Sequence, residues 1–345
     1  MLFSLLNPIS AGILAFLTSL LIVLISGNKF IAFMHAWQHE GQPIRECGPQ
    51  NHLKTKKGTP TMGGLLILLS IIISTLLYAE LSSGFTWICI AVIVVFGATG
   101  FWDDYVKVKK HTPDAMTAKI KLLIQFSVAF GVALFAIFQY QDPLKLSVII
   151  PYINFPVYIW YFYIPLIMFV IAGASNSVNL SDGLDGLAAG LLIPAFAYFL
   201  LSTIIFTLSF YQLAPFGNLS IICAATMGAC LGFLWFNSFP AKIFMGDTGS
   251  LALGALLGTI AVLTKQEIML AIVGIIFVIE SLSVMIQVFW YKRTKTRVFL
   301  MAPIHHHFEQ KGYQETCIVM RFWIIAWIAS VIGIISLFMN SFGGN

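Results

Sequence analysis

The sequence predicts an all-α polytopic membrane protein, and two properties of the whole chain support this prediction. Of the 345 residues, 59% are hydrophobic and only 10% are charged. Soluble domains carry about 25% charged residues because their surfaces must face water. The polar residues are also gathered into short stretches between long apolar ones. A chain of this kind has too little polar surface to cover a soluble core, so it is expected in a bilayer.

Ten apolar stretches are long enough to be membrane spans, since a spanning helix needs about 20 mainly apolar residues. They cover residues 9–33, 61–79, 86–102, 120–139, 161–178, 187–210, 217–237, 248–264, 268–290 and 320–340. Segment 140–160 is rich in Pro and Tyr, which predicts an interfacial loop with room for a short hairpin. Nothing resembling a separate soluble domain interrupts this series, so residues 1–345 are predicted to form one integral membrane domain.

The charged residues are distributed asymmetrically between the two sides of these spans. If the N-terminus is outside, 17 of the 19 Lys and Arg residues fall inside, and only Lys145 and Lys265 fall outside. The positive-inside rule favours this orientation. All seven histidines fall on the same inner side. So do five acids, which contribute little to orientation: Asp103, Asp104, Asp182, Asp185 and Asp247. This clustering predicts an active site between helix ends at the cytoplasmic face.

Two adjacent carboxylates, Asp103 and Asp104, end the third span. Paired acids suit Mg²⁺, which takes oxygen ligands and usually shares them with substrate phosphates. One of the two can instead act as a general base if its neighbour raises its pKa. The structural alternative is a solvated helix end, in which an acid pairs with Lys107 at i+4.

A second polar series has residues three positions apart: Asn176, Asn179, Asp182 and Asp185. On a helix this spacing forms one stripe, and in a turn the side chains converge. Gly183 allows close approach of a ligand to the backbone. The alternative is helix capping, with Asp185 as the N-cap of the sixth span.

A glycine-containing turn, Phe244–Ser250, precedes the eighth span. A helix that starts from such a turn offers free N–H groups and a positive dipole end, which suit a phosphate. Asp247 in this turn can hold a metal ion that bridges phosphates. The alternative, which can hold at the same time, is capping by Thr248 or Ser250.

Three contiguous histidines, His305, His306 and His307, lie before the last span. Neighbouring side chains on a helix diverge by about 100°, so all three cannot bind one ion. Contacts with phosphate oxygens or a sugar are the functional interpretation. A polar loop at the membrane surface is the alternative.

A basic segment leads into the second span: Lys54, Lys56 and Lys57 precede Gly58 and Thr61. Lysines and hydroxyls in this arrangement can bind a diphosphate. For any single lysine, positive-inside anchoring is the competing explanation.

Together these motifs indicate phosphate chemistry at the cytoplasmic boundary, with a soluble diphosphate brought to a lipid acceptor. Over essentially its whole length the chain resembles the muramoyl-pentapeptide branch of the polyprenyl-phosphate N-acetylhexosamine-1-phosphate transferase superfamily. One small departure is Ser181, where many members have Thr. The resemblance lies in five motifs in order: Gly58–Gly64, Asp103-Asp104, Asn179–Gly186, Met245–Ser250 and Pro303–Glu309.

The resemblance implies ten transmembrane helices in the bacterial inner membrane, both termini periplasmic, and commonly a homodimer. It also implies transfer of phospho-N-acetylmuramoyl-pentapeptide from its UDP carrier to undecaprenyl phosphate. The products would be lipid I and UMP, with Mg²⁺ as the cofactor. This is the first membrane step of peptidoglycan biosynthesis, on which cell wall biogenesis, cell shape and cell division depend.

The resemblance further implies roles for residues at the matching motif positions. Asp247 would bind the metal, and Asp103 and Asp104 would bind it too, or one of them would deprotonate the lipid phosphate. Phe244 would lie near the uracil. The residues assigned to catalysis are Asp103, Asp104, Asp247, His305, His306 and His307. The residues assigned to substrate binding are Lys56, Thr61, Asn176, Asn179, Asp182, Gly183, Asp185 and Phe244.

Two other functions compete with this prediction. A sister transferase that uses UDP-N-acetylglucosamine would have the same fold and metal chemistry. A transporter would use an ionisable group inside the membrane, such as Glu280, but its binding groups would lie near the midplane. The motifs here cluster at one surface, so Glu280 is expected to pair with a neighbouring helix. For the transfer itself, direct attack of the lipid phosphate is predicted, and a covalent route through Asp247 is the alternative.

Overall fold

The computed structural model describes residues 7–38, 58–110, 115–140, 144–209 and 215–342. Lys54, Lys56 and Lys57 lie outside these ranges, so the structure says nothing about their predicted role. The helices are α1 (Pro8–Gln38), α2 (Gly64–Tyr78), α3 (Gly84–Lys110), α4 (Ala118–Gln139), α5 (Tyr163–Ser181), α6 (Leu187–Ser209), α7 (Pro215–Asn237), α8 (Gly246–Leu263), α9 (Glu267–Val273), α10 (Ile275–Thr294), α11 (Ile304–Gln310) and α12 (Glu315–Phe342).

Each of the ten predicted spans is helical in the structure. Within the described residues, nine helices are long and apolar enough to cross a membrane. The second predicted span falls short of that length, because α2 has 15 residues and is about 22 Å long at 1.5 Å per residue. The residues before α2 leave the helix to pair with the loop before α8, through the Gly63 N–H and the Phe244 carbonyl (2.9 Å). The prediction of an all-α, multi-pass membrane protein is confirmed.

The ninth predicted span is interrupted, which the sequence analysis did not anticipate. One continuous helix was expected over 268–290, but α9 ends at Val273 and α10 begins at Ile275. Gly274 lies between them with φ −95° and ψ 22°, outside the helical region. The backbone hydrogen bonds nevertheless continue across the break, from the Gly274 N–H to the Leu270 carbonyl (2.8 Å) and from the Val278 N–H to the Gly274 carbonyl (3.1 Å).

A short antiparallel hairpin follows α4, in the segment 140–160 whose composition predicted a loop with room for one. Its strands are β1 (Ser147–Ile150) and β2 (Phe155–Tyr158), with Val148 opposite Val157. A single 3₁₀ turn, Trp160–Phe162, connects the hairpin to α5.

Helix α8 lies at the centre of the bundle and is almost entirely buried, whereas α10 is largely exposed. Its neighbours approach very closely. A Cβ atom added to Gly100 of α3 would lie 2.2 Å from the Asp247 carbonyl oxygen. One added to Gly254 of α8 would lie 2.5 Å from the Ala174 carbonyl oxygen of α5. Small residues allow membrane helices to pack this closely, and the packing brings α3 and α5 against the start of α8.

Because the backbones approach so closely at Gly100, a single added methyl group is expected to lower the stability of the protein. We expect Gly100→Ala to destabilise the protein by about 1–3 kcal/mol, the range for an overpacked core, because the added Cβ meets backbone that cannot rotate away. Thermal unfolding in detergent measures the change.

Gly131 provides the matched control, since it also lies within a helix but has nothing within 4 Å of its Cβ position. We expect Gly131→Ala to be neutral or to stabilise by about 0.5–1 kcal/mol, the helical preference of Ala over Gly. Equal melting temperatures for the two variants would contradict the packing described for α3 and α8.

Candidate active site

Asp247, in the first turn of α8, is the point at which side chains from three other helices meet. Its Oδ1 accepts a hydrogen bond from Asn179 Nδ2 of α5 at 2.7 Å, and Asn179 also donates to Ser250 Oγ at 2.8 Å. Its Oδ2 lies 3.1 Å from Lys107 Nζ of α3 and 2.9 Å from Lys121 Nζ of α4. Both oxygens of this carboxylate are therefore held by donors from outside its own helix.

Asp103 shares the same two lysines. Its Oδ2 lies 2.6 Å from Lys107 Nζ and 3.4 Å from Lys121 Nζ. Its Oδ1 accepts a hydrogen bond from the Met116 N–H at 3.0 Å. The i+4 pair with Lys107 that was the structural alternative is present, yet the same lysine also contacts Asp247. Two ammonium groups thus lie between two carboxylates that are 144 positions apart in sequence.

Asp104 binds the N-terminus of α8. It is fully buried. Its Oδ1 accepts a hydrogen bond from the Asp247 N–H (3.2 Å), and its Oδ2 accepts from the Thr248 N–H (3.0 Å) and from Thr248 Oγ1 (2.8 Å). The first N–H groups of a helix have no partner within it, and a carboxylate there also interacts favourably with the dipole. The two adjacent acids therefore make different contacts.

The two aspartates of the turn after α5 fasten it to the loop that precedes α8. Asp182 Oδ2 accepts a hydrogen bond from the Gly246 N–H at 3.2 Å. Asp185 Oδ2 accepts one from the Ala241 N–H at 2.9 Å, while the Asp185 N–H donates to Glu315 Oε1 at 2.6 Å. The two acids converge as their spacing predicted. Asp182 reaches the start of α8, and Asp185 reaches the loop before it.

Asn176, the first member of the same series, bonds to a different helix. Its Nδ2 donates to Gln125 Oε1 of α4 and to the Ala172 carbonyl oxygen, both at 2.7 Å. Asn176 thus lies close to one helical turn before Asn179 and ties α5 to α4.

The loops that contain Phe244 and Thr61 are paired side by side. The Phe244 N–H donates to the Pro60 carbonyl, and the Gly63 N–H donates to the Phe244 carbonyl, both at 2.9 Å. Thr61 is buried, and a Cβ atom on Gly246 would lie 2.6 Å from its Oγ1. That oxygen has no hydrogen-bond partner among the described residues. The structure therefore brings Thr61 and Phe244 to the start of α8, as their assignment to one pocket requires.

The three histidines have different polar partners, as their contiguous positions predicted, although the ring centroids of His305 and His306 are only 4.1 Å apart. His306 Nδ1 lies 2.5 Å from Glu309 Oε2. His307 Nδ1 accepts a hydrogen bond from the Leu300 N–H at 3.2 Å, and burial lowers the pKa of His307 below its ordinary value.

His305 is the histidine that faces inward, and it is fully buried. Its Nδ1 lies 3.1 Å from Oε2 of Glu280, which is also fully buried. On its other side, a Cβ atom added to Gly183 would lie 2.3 Å from its Nε2. The expectation that Glu280 pairs with a neighbouring helix is confirmed, because His305 belongs to α11.

Lys107 and Lys121 are the central residues that the sequence reasoning did not assign to the site. The sequence indicated only that Lys107 can pair with an acid one turn earlier in its own helix. Lys121 was one of the 17 cations predicted on the inner side. The i+4 spacing from Asp103 is a usable signal for Lys107. Lys121 comes from the next helix along the chain, and only the packing of α3, α4 and α8 brings it to Asp247.

An apolar cavity of about 400 Å³ lies between α5 and α10. Its wall includes Phe169, Gly173, Ser177, Leu282 and Met285. Asn176 also lines it. The cavity therefore extends along the membrane-spanning part of α5 to a position within one helical turn of Asn179, the residue that contacts Asp247.

Comparison with known proteins agrees with this architecture. Residues 86–265 match the family described as glycosyl transferase family 4, which defines the class of membrane protein. Residues 56–68 match signature 1 of phospho-N-acetylmuramoyl-pentapeptide-transferase. The chain is 46% identical over 331 residues to phospho-N-acetylmuramoyl-pentapeptide-transferase of Granulibacter bethesdensis, covering 94% of this chain and 91% of the relative. The chain therefore belongs to the phospho-N-acetylmuramoyl-pentapeptide-transferase family.

The shared lysines predict a specific effect of removing one cation. We expect Lys107→Met to destabilise the protein by about 1–3 kcal/mol. This is less than the ~3–5 kcal/mol typical when a buried charge loses its only partner, because Lys121 still contacts both carboxylates. The midpoint of thermal unfolding in detergent measures the loss.

Lys292→Met, which removes an exposed lysine of α10, is the matched control and should unfold within about 0.5 kcal/mol of the wild type. If Lys107→Met is as stable as this control, Lys107 does not stabilise the two carboxylates that it contacts.

Proposed function

We propose that this protein transfers phospho-N-acetylmuramoyl-pentapeptide from UDP-N-acetylmuramoyl-pentapeptide to undecaprenyl phosphate, giving lipid I and UMP. The observation that carries the proposal is the meeting of Asp103, Asp247, Lys107 and Lys121 at the start of α8. Acids and cations together suit a reaction between two phosphates. The 46% identical relative is named for the transfer of the same group.

The residues at this position fit Mg²⁺. Oxygens of Asp103 and Asp247 approach the same ammonium groups, so they are close enough to face a single cation. Two carboxylates are enough for Mg²⁺, which is usually bound by one or two carboxylates and completed by water and substrate phosphates. In this proposal Asp104 holds the start of α8 and does not bind the metal, since its partners are two backbone N–H groups and the Thr248 hydroxyl. Asp103 and Asp247 instead contact lysine ammonium groups, whose place a cation can take.

The main contribution of the site to the reaction is neutralisation of the negative charge on the two phosphates. Two anions must meet, and their repulsion is large in surroundings of low dielectric constant. A bound Mg²⁺ offsets the negative charge of the phosphates. Lys107 and Lys121 each have three ammonium protons, so they can hold phosphate oxygens while remaining near the carboxylates.

The transfer itself is proposed to be direct. An oxygen of the lipid phosphate attacks the phosphorus that bears the sugar, a new P–O bond forms, and the bond to the bridging oxygen breaks. UMP leaves with that electron pair. A phosphate monoester has a second pKa of about 6, so near neutral pH the acceptor is already ionised.

The apolar cavity between α5 and α10 is proposed to hold the first part of the prenyl chain. Its wall is mostly hydrocarbon, and it includes Asn176, which lies about one helical turn from Asn179, the residue that donates to Asp247. A lipid that lies in this cavity would present its phosphate to Asp247 and the two lysines. Confinement of this kind converts a chance encounter into a positioned one.

The orientation proposed for the chain has both termini in the periplasm and the site at the cytoplasmic face of the bacterial inner membrane. The basis is the distribution of 17 of the 19 Lys and Arg residues on one side. UDP-linked donors are water-soluble, so the donor would reach this site from the cytoplasm while the lipid stays in the bilayer.

A UMP-release assay across a Mg²⁺ titration tests the proposal. We expect Asp103→Asn and Asp247→Asn to raise the Mg²⁺ concentration at half-maximal rate by about tenfold or more, the loss of ~1.4 kcal/mol of binding or more. Asp104→Asn should lower the melting temperature and leave the Mg²⁺ requirement unchanged, since its carboxylate holds the helix start. Preference of the wild type for UDP-N-acetylglucosamine would point to the sister activity, and wild-type rates in all three variants would refute the site.

The role proposed for the cavity is tested by filling it. Gly173 lines the cavity and has nothing within 4 Å of its Cβ position, so Gly173→Phe can enter the space without displacing backbone. We expect the KM for undecaprenyl phosphate to rise about tenfold (~1.4 kcal/mol), with the KM for the UDP-linked donor unchanged. Gly131→Phe, on a helix that does not line the cavity, is the control. An unchanged KM for the lipid in Gly173→Phe would show that the chain binds elsewhere.

A further inference from the structure

Glu280 and His305 form a buried ionisable pair that the transfer chemistry described above does not use. Both side chains are fully buried, and Glu280 Oε2 lies 3.1 Å from His305 Nδ1. The two atoms are not aligned as a hydrogen bond. Neither carboxylate oxygen and neither ring nitrogen has a hydrogen-bond partner among the described residues. A buried carboxylate is costly unless it is paired, so each group depends on the other.

The imidazole of His305 connects Glu280 with the turn that holds the start of α8. The Gly183 backbone packs directly on the ring, since a Cβ atom there would lie 2.3 Å from Nε2. The preceding residue, Asp182, accepts a hydrogen bond from the Gly246 N–H. Asp247 follows Gly246 in the chain. A continuous series of contacts therefore runs from Glu280 to the acid at the centre of the site.

We propose that Glu280 is a positioning residue for the transferase reaction. Its carboxylate fixes the His305 imidazole against Gly183. The imidazole in turn holds the turn that contains Asp182 in the place from which it binds the loop before Asp247. The proposal rests on the proposed function, because it assigns Glu280 to the same site. It also gives His305 a role inside the protein, in addition to any contact with the substrate.

A contribution to packing alone does not account for a carboxylate at the buried position of Glu280. Polar residues inside membrane helices are expensive, and they are retained mostly where they serve function. Replacement of a buried ion pair by apolar residues is often neutral or stabilising, so stability by itself does not require this pair. Displacement of a catalytic group by about 1 Å can lower the rate about 100-fold, and the series of contacts from Glu280 ends at Asp247.

A double-mutant cycle in the UMP-release assay tests the proposal. We expect Glu280→Gln, which keeps the size of the side chain and removes its charge, to lower kcat by about 30- to 100-fold. His305→Ala should lower it by a similar factor, with little change in KM for either substrate. The double variant should be within about threefold of the slower single variant, because residues that act as a unit are not additive. Glu280→Asp should recover part of the rate.

Ser283→Ala is the matched control. Ser283 is also buried on α10, one turn from Glu280, and its Oγ donates to the Glu280 backbone carbonyl rather than to the carboxylate (2.7 Å). Its kcat should stay within about threefold of the wild type. Additive losses in the cycle, or a wild-type rate for Glu280→Gln, would overturn the positioning role. Absence of UMP release by the wild-type enzyme would instead refute the proposed function.

Discussion

The buried N-terminus of α8 is the constraint on which the rest of the site depends. A helix start leaves N–H groups without partners, and this one lies inside the protein rather than in water. Asp104 from α3 and Asp182 from the turn after α5 supply the missing acceptors. Because these acceptors belong to other helices, the start of α8 cannot be satisfied unless α3 and α5 are in place. The site can therefore form only when these helices are packed together.

Balance of charge follows from that arrangement. Asp103, Asp104 and Asp247 bring three carboxylates to one region, and Lys107 and Lys121 bring two ammonium groups between two of them. The lysines offset the charge of the two carboxylates that they contact, Asp103 and Asp247. The same lysines can bind an incoming phosphate.

Helix α10, which begins at Ile275 directly after the break at Gly274, contributes to two separate features of the structure. One part of its surface lines the apolar cavity through Leu282 and Met285, and another buries Glu280 against His305. A lipid acceptor in the cavity and the positioning pair would thus be linked through a single helix.

Local properties of the sequence determined the all-α membrane fold, the positions of its apolar helices and the hairpin, because hydropathy and turn composition act over short stretches of chain. The order of the motifs also indicated the family. Contacts between distant residues were decided only by the tertiary structure. Local helix geometry separates the adjacent side chains of Asp103 and Asp104 by about 100°, but packing decided their partners. Asp103 contacts Lys107 and Lys121, and Asp104 contacts the start of α8. Lys121 joins Asp247 because helices far apart in the chain pack together. Glu280 meets His305 because the consecutive helices α10 and α11 fold back on each other. No local pattern encodes either approach.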